Sequence, residues 1–200
     1  MKAPLGDIAK VRTGIAFREA IRHVEGGDIA IVQAGDIGAD GIVDTNSLLR
    51  VAGLSAQGEA AFLLEGEVLL QSRGQSYRAA VVPAHALPMV PTASVLVIKP
   101  SHAIRAAYLA EFLNDPATQA ELRKLSTGAT IANLKKSAVE QLEVLVPALE
   151  DQDKIVGLAE TLRQISRIEV RLAELRRIEL RLLIEKLAEK NRGRVNAAGS

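Results

Sequence analysis

The sequence predicts an α+β fold: a small mixed β-sheet domain with short helices, followed by one long C-terminal coiled-coil helix. Three observations carry this expectation. The first hundred residues consist of short apolar or β-branched runs punctuated by glycine. From residue 103 the apolar spacing becomes helical. Residues 151–190 then hold no Pro and one Gly, and their apolar residues recur on a coiled-coil period. With 200 residues, 48% of them hydrophobic, the chain has enough apolar surface to bury a core.

The strand-like runs are IAIV (29–32), GIV (41–43), FLLEGEVLLQS (62–72), AAVV (79–82) and ASVLVIK (93–99). Gly26, Gly27, Gly35, Gly38, Gly41 and Gly74 break them at turn-like intervals, and Pro83, Pro88, Pro91 and Pro100 mark strand ends. Next, AIRAAYLAEFLND places Ile104, Tyr108, Leu109, Phe112 and Leu113 at helical spacing. Asp115-Pro116 follows as a cap and a first-turn proline, opening a second helix over PATQAELRKL. STGATIAN reads as a loop, KKSAVEQ as a short helix, and LEVLVP (142–147) as a last strand that Pro147 ends.

In the C-terminal segment the apolar positions are Ile155, Leu158, Leu162, Ile165, Ile168, Leu172, Leu175, Ile178 and Leu182. They recur about every 3.4 residues, nearer a coiled-coil seam than a free helix. Glu160, Arg163, Arg167, Glu174, Arg177 and Arg181 take the flanks. A helix of about 36 residues reaches roughly 54 Å, more than a domain this small can cover. The seam therefore needs a partner helix. The expected boundaries are 1–148 for the domain, 149–191 for the helix and 192–200 for a disordered tail.

Composition excludes several classes of chemistry. Cys is absent, which removes disulfide scaffolds, thiolate zinc sites and cysteine nucleophiles. His23, His85 and His102 lack metal-ligand spacing, so no metal or other cofactor is expected. Two Tyr, three Phe and no Trp argue against an aromatic ladder for single-stranded nucleic acid. There is no G-x-S-x-G elbow, G-x-G-x-x-G loop or P-loop, and no catalytic residue is assigned. Asp36, Asp40, Gly41 and Asp44 resemble a calcium loop only superficially, because Gly38 and Ser47 stand where ligands are needed. Acidic turn residues are the plainer reading. The N-terminus, MKAPLGDIAK, has no apolar signal core, and the chain reads as neither secreted nor membrane-spanning, with the cytoplasm as its expected location. Residues 1–150 carry 14 Lys+Arg against 16 Asp+Glu, and residues 151–200 carry 11 against 8. Net charge by itself does not support nucleic-acid binding.

Two polar runs carry candidate chemistry. QSRGQSYR (71–78) sets Gln71, Arg73, Gln75, Ser76, Tyr77 and Arg78 around a glycine at a strand end. Arg and Gln read guanine and adenine in the major groove, and Ser and Tyr bond phosphates. The same run also fits a solvated hairpin tip. STGATIANLKK (126–136) leads through Thr130 and Asn133 to Lys135 and Lys136 at a helix start. That arrangement suits a phosphate, and it equally suits an ordinary helix-to-helix turn. In the long helix acids alternate with bases, the usual pattern of a salt-bridged coiled-coil surface rather than of a DNA-binding basic helix.

In order and spacing, these segments resemble the specificity (S) subunits of type I restriction–modification systems over nearly the full length. The matching pieces are LGDIAKVRTG (5–14), IAIVQAGDI (29–37), LLEGEVLLQSRG (63–74), AAYLAEFLND (106–115) and LSTGATIANLKKSAVEQLEVLVPALEDQDKIV (125–156). The last is similar to the family's most characteristic stretch, in which a helix, a glycine loop and a short strand lead to a Pro–Leu–Glu–Gln turn opening a long helix. Glu67 stands where the family usually has Asp, Ala148 replaces the second proline, and Asp151 precedes Gln152 in place of Glu.

Family members typically hold two target-recognition domains separated by two long helices that pair antiparallel. This chain has one of each and looks like a half-size subunit, or a fragment of a longer one. The resemblance implies a non-catalytic DNA-recognition subunit, with residues 1–148 as the target-recognition domain. Its implied partners are double-stranded DNA, methyltransferase subunits and a restriction subunit. The seam suggests an antiparallel homodimer reading an interrupted palindrome of about one and a half turns; pairing with another specificity chain or with the methyltransferase is the rival. The competing expectation from another class is a coiled-coil interaction adaptor whose acidic head binds protein.

Overall fold

Short apolar runs need partners for their peptide groups. In the computed structural model they find them in three small sheets. The structure describes residues 1–198 apart from 18, 39, 54–60, 75, 85–87 and 128–131, with side chains as far as residue 186. Strand β1 (Lys2–Pro4) pairs antiparallel with β9 (Glu143–Leu145). A four-stranded antiparallel sheet runs in the order β2 (Ala9–Thr13), β8 (Val95–Pro100), β5 (Val68–Gln71) and β6 (Ala79–Val81). A three-stranded sheet runs β4 (Leu49–Val51), β3 (Ile29–Val32), β7 (Met89–Pro91); β3 is antiparallel to β4 and parallel to β7, so this sheet is mixed. The helices are α1 (Leu5–Ile8), α2 (Ala106–Asn114), α3 (Pro116–Leu125), α4 (Lys136–Glu140) and α5 (Leu149–Ala198).

Both faces of the four-stranded sheet are buried, and its residues alternate between two cores. Val11, Val68, Leu70, Ala79, Leu96 and Ile98 pack with Leu109 and Leu113 of α2, Leu122 of α3 and Val139 of α4. Leu69, Ala80, Val95 and Val97 pack with Ala30, Val32 and Met89 of the mixed sheet. Aliphatic residues fill most of these layers, as the scarcity of aromatics requires.

Several expected elements are found with matching or slightly shifted ends. Strand β3 is the run 29–32, and α3 is the run PATQAELRKL. The Asp115 carboxylate accepts from the Ala117 and Thr118 amides at 2.9 and 3.3 Å, as an N-cap should. Two strand expectations are corrected. GIV (41–43) forms only a single bridge, Ile37 to Val43, because Gly41 at φ +72° turns the chain there. FLLEGEVLLQS is a strand only over Val68–Gln71; Gly66 at φ +78° closes a turn in which the Glu67 N–H donates to the Leu64 carbonyl at 3.1 Å. The Glu67 side chain is buried against Arg12 at 2.9 Å, and the Arg12 guanidinium also donates to the Ala61 and Phe62 carbonyls.

The acids of the calcium-like run serve turns. Asp36, Asp40 and Asp44 accept from the backbone amides of Gln33, Ile42 and Asn46. Among the described residues no group of three or more His, Asp or Glu is placed to hold a metal ion.

The chain divides into two compact units, Met1–Val156 and Gly157–Ser200. Within the first, Gln152 fixes the start of α5. Fully buried, its amide donates to the Ala103 and Pro147 carbonyls at 3.1 and 2.9 Å and accepts from the Arg105 N–H at 2.8 Å. The second unit is the rest of α5, whose backbone stays helical through residues 192–198 of the segment expected as a tail. All nine seam residues are exposed on the single chain, from 43% at Ile155 to 67% at Ile168. Among the described residues no helix is long and apolar enough to cross a membrane.

Gln152→Ala removes the buried partner of three main-chain groups that are only partly covered and should cost about 2–3 kcal/mol. The melting temperature should fall by roughly 4–12 °C, measurable by calorimetry, and a shift under about 2 °C would contradict this anchoring role.

Candidate nucleic-acid interface

Strand β5 is buried along its whole length, so the chain leaving it at Gln71 carries peptide groups that need partners. Gln71 supplies some of them. It is 6% exposed, its amide donates to the Ala34 carbonyl, and its side-chain oxygen accepts from the Ser76 hydroxyl at 3.1 Å and the Arg78 N–H at 3.2 Å. The Gln71 N–H in turn donates to the Arg78 carbonyl at 2.9 Å. On the other side of the returning chain, Gln119 of α3 accepts from the Tyr77 N–H at 3.2 Å and donates to its carbonyl at 2.7 Å. Asn114, the last residue of α2, does the same for Ala79 at 2.9 and 2.8 Å.

These bonds separate the expected site residues into two groups. Gln71 and Tyr77 point inward and are unavailable to a large ligand. Tyr77 is 1% exposed, and its hydroxyl has no hydrogen-bond partner among the described residues. Arg73 is exposed, while Ser76 and Arg78 are half-buried. Gln75 lies outside the described residues. Gly74 takes φ +116°, a conformation reserved for glycine, and lets the chain turn directly after Arg73.

The second polar run is joined to the first through the backbone. Asn133 bridges Arg73 on one side and Thr127 on the other. The Gly74 N–H donates to the Ala132 carbonyl at 3.2 Å and the Leu134 N–H to the Ser72 carbonyl at 2.8 Å; Thr127 and Asn133 exchange bonds of 3.0 and 2.8 Å. Two candidate segments far apart in sequence thus form one surface. Asn133 is half-buried and Lys135 and Lys136 are exposed; Thr130 lies outside the described residues. Lys136 pairs with Glu140 at 3.5 Å, and α4 is only five residues long, so the positive charge here comes from the lysines rather than from a helix dipole.

The joined segments differ in charge from their surroundings. Residues 1–156 carry 15 Lys+Arg against 18 Asp+Glu, whereas segments 71–78 and 123–136 hold six Lys+Arg and no acid. Arg123 and Lys124, which sequence reasoning passed over, are exposed in the last turn of α3 immediately before this surface. Averaging charge over 150 residues hides the cluster. Burial pushes the Tyr108 phenol above its ordinary range, and its hydroxyl donates to the Leu145 carbonyl at 2.8 Å; it serves the core.

The family model described as the type I restriction modification DNA specificity domain matches residues 1–180. No curated protein matches the chain. Among solved structures, similarity extends to a chain from work on complex assembly and conformational transition of the type I R-M system, at 19% identity and TM-score 0.64 over 90% of this chain. The HsdS subunit from Thermoanaerobacter tengcongensis follows, at 17% identity and TM-score 0.58 over 82%. The type I S subunit from M. genitalium matches at 13% identity and TM-score 0.55, also over 82%. The alignments take in 43%, 37% and 39% of those chains, so the present chain spans less than half of each.

Tyr77 provides a test of the inward-facing group. Tyr77→Phe should leave stability unchanged or raise it by up to about 1 kcal/mol, since it removes a buried hydroxyl that lacks a partner. Tyr77→Ala should cost about 3–5 kcal/mol. A destabilisation above about 1 kcal/mol in the Phe variant, measured by denaturant unfolding, would contradict the assignment.

Proposed function

Because the chain belongs to the family of type I restriction–modification DNA specificity domains, we propose that it is the DNA sequence-recognition component of a type I restriction–modification complex. The observation that carries this reading is the joined surface of segments 71–78 and 123–136. Six cations without an acid, in a unit otherwise acidic, supply the local field that a phosphate backbone requires.

Arg73 and Arg78, with Gln75, are the base-reading group. Ser76, Asn133, Thr130, Lys135 and Lys136 hold phosphates, joined by Arg123 and Lys124. Gln71 and Tyr77 act as supports. Residues 1–148 are the recognition unit and 149–191 the dimerisation element. The chain carries out no chemistry itself: partner methyltransferase subunits modify the DNA, and a restriction subunit joins the same complex. Two copies pair through the seam from Ile155 to Leu182 as an antiparallel homodimer, giving a bipartite target with two-fold symmetry.

Arg73→Ala and Arg78→Ala should each weaken a selected target duplex by about 1–3 kcal/mol and a random duplex by clearly less, through the lost charge alone. Lys135→Ala and Lys136→Ala should weaken both duplexes alike and reduce the slope of log affinity against log salt by about 1 each. Wild-type binding to both duplexes by all four variants would overturn the assignment.

The seam is tested by Leu162→Asp combined with Leu172→Asp, which puts charge into the apolar face on both sides of Ile165. The wild-type chain should sediment as a dimer at micromolar concentration and the double variant as a monomer. A monomeric wild type, or a methylation site without two-fold symmetry, would refute the homodimer.

A further inference from the structure

An edge strand ordinarily faces either another strand or solvent, yet the outer edge of β6 and the residues leading into it face two side-chain amides. Peptide groups alternate along this stretch: Arg78 bonds toward β5, and Tyr77 and Ala79 present theirs to the opposite side. Asn114 bonds both peptide groups of Ala79, and Gln119 bonds both of Tyr77. Each amide offers one acceptor and one donor, as a further strand would. With the two bonds to Gln71, six side-chain hydrogen bonds fall on the four residues 76–79.

The grips themselves are fixed. Leu113 beside Asn114 is fully buried, as is Leu122 on the turn after Gln119, and Asp115 between the two amides caps α3. Gln119 spends its second donor on the Leu113 carbonyl at 2.7 Å, which ties the α2–α3 corner to the same amide. Arg78 lies between the two gripped residues.

We propose that Asn114 and Gln119 are positioning residues for base recognition, holding the main chain on both sides of Arg78 so that its guanidinium meets a base edge in one orientation. The inference rests on the base-reading role proposed above for Arg78. A planar fork bonds a base edge bidentately only when its plane is set, so loosening its main chain removes base contact selectively. Lysine contacts to phosphate are point-charge interactions and tolerate the same loosening. Ordering the loop before DNA arrives also takes that entropic cost out of binding.

The test is a double-mutant cycle on the full chain. The probes are a duplex enriched by the wild-type chain from a randomised pool and a scrambled duplex of the same composition. Gln119→Ala should weaken the enriched duplex about tenfold and the scrambled one less than about twofold; in an Arg78→Ala background its effect on the enriched duplex should fall below about twofold. Asn114→Ala should follow the same pattern. Gln119→Met keeps the side-chain length but loses the acceptor and both donors; it should show the same pattern and replaces the alanine variant if that fails to fold. Equal losses on both duplexes, or an undiminished loss in the Arg78→Ala background, would overturn the positioning role while leaving Arg78 as a reader. An Arg78→Ala chain with wild-type affinity for the enriched duplex would overturn the reading role, and the positioning role with it.

Discussion

A peptide group taken out of water must find a partner, and at the end of β5 this requirement governs the whole interface. Because β5 is buried on both faces, the chain leaving it cannot be solvated at once. Ser94 and Leu134 answer the peptide groups of Ser72, Ala132 answers the Gly74 N–H, and Gln71, Gln119 and Asn114 answer those of the returning residues 77–79. Among the described residues, no hydrogen bond of this network uses the Arg73 side chain or the Arg78 guanidinium. A single run of polar residues is thereby sorted into those that the backbone uses and those that it leaves free for the proposed role.

The same requirement joins two regions whose charges would otherwise be dispersed. Backbone pairing of 132–134 with 72–74 on one side and with Thr127 on the other sets three chain segments next to one another, about 5 Å apart per step. Segments 71–78 and 123–136, which hold six Lys+Arg and no acid, are thereby brought together. An acidic unit can then present one basic face. The second unit meets a different demand: eight of the nine seam residues lie on it, all exposed and in need of cover, and α5 alone cannot provide it.

Local signals were readable in the sequence, and non-local ones were not. Asp115 followed by proline announced α3 to the residue, and the apolar period of 155–182 announced a long helix. Strand β1, with three residues and a proline, has no periodicity of its own and exists because β9 at the far end of the unit accepts it. For QSRGQSYR, chemistry was readable but direction was not. In a strand buried on both faces, alternation does not distinguish inward from outward, so Gln71 and Tyr77 looked as available as Arg73. Asn114 and Gln119 carried no signal, since an amide at a helix end is ordinary until the strand it grips is known. Glu67 in place of the usual Asp likewise became intelligible only with Arg12 beside it.

The central claim is that DNA meets this protein on the surface shared by segments 71–78 and 123–136. Amide hydrogen exchange on the full chain, with and without a duplex enriched from a randomised pool, tests it most directly. The account predicts added protection at the exchangeable amides of 73–76 and 127–136, with no DNA-dependent change along the Lys10–Lys99 edge of β2 and β8. Protection confined to that edge or to the apolar seam, with 71–78 and 123–136 unchanged, would contradict it.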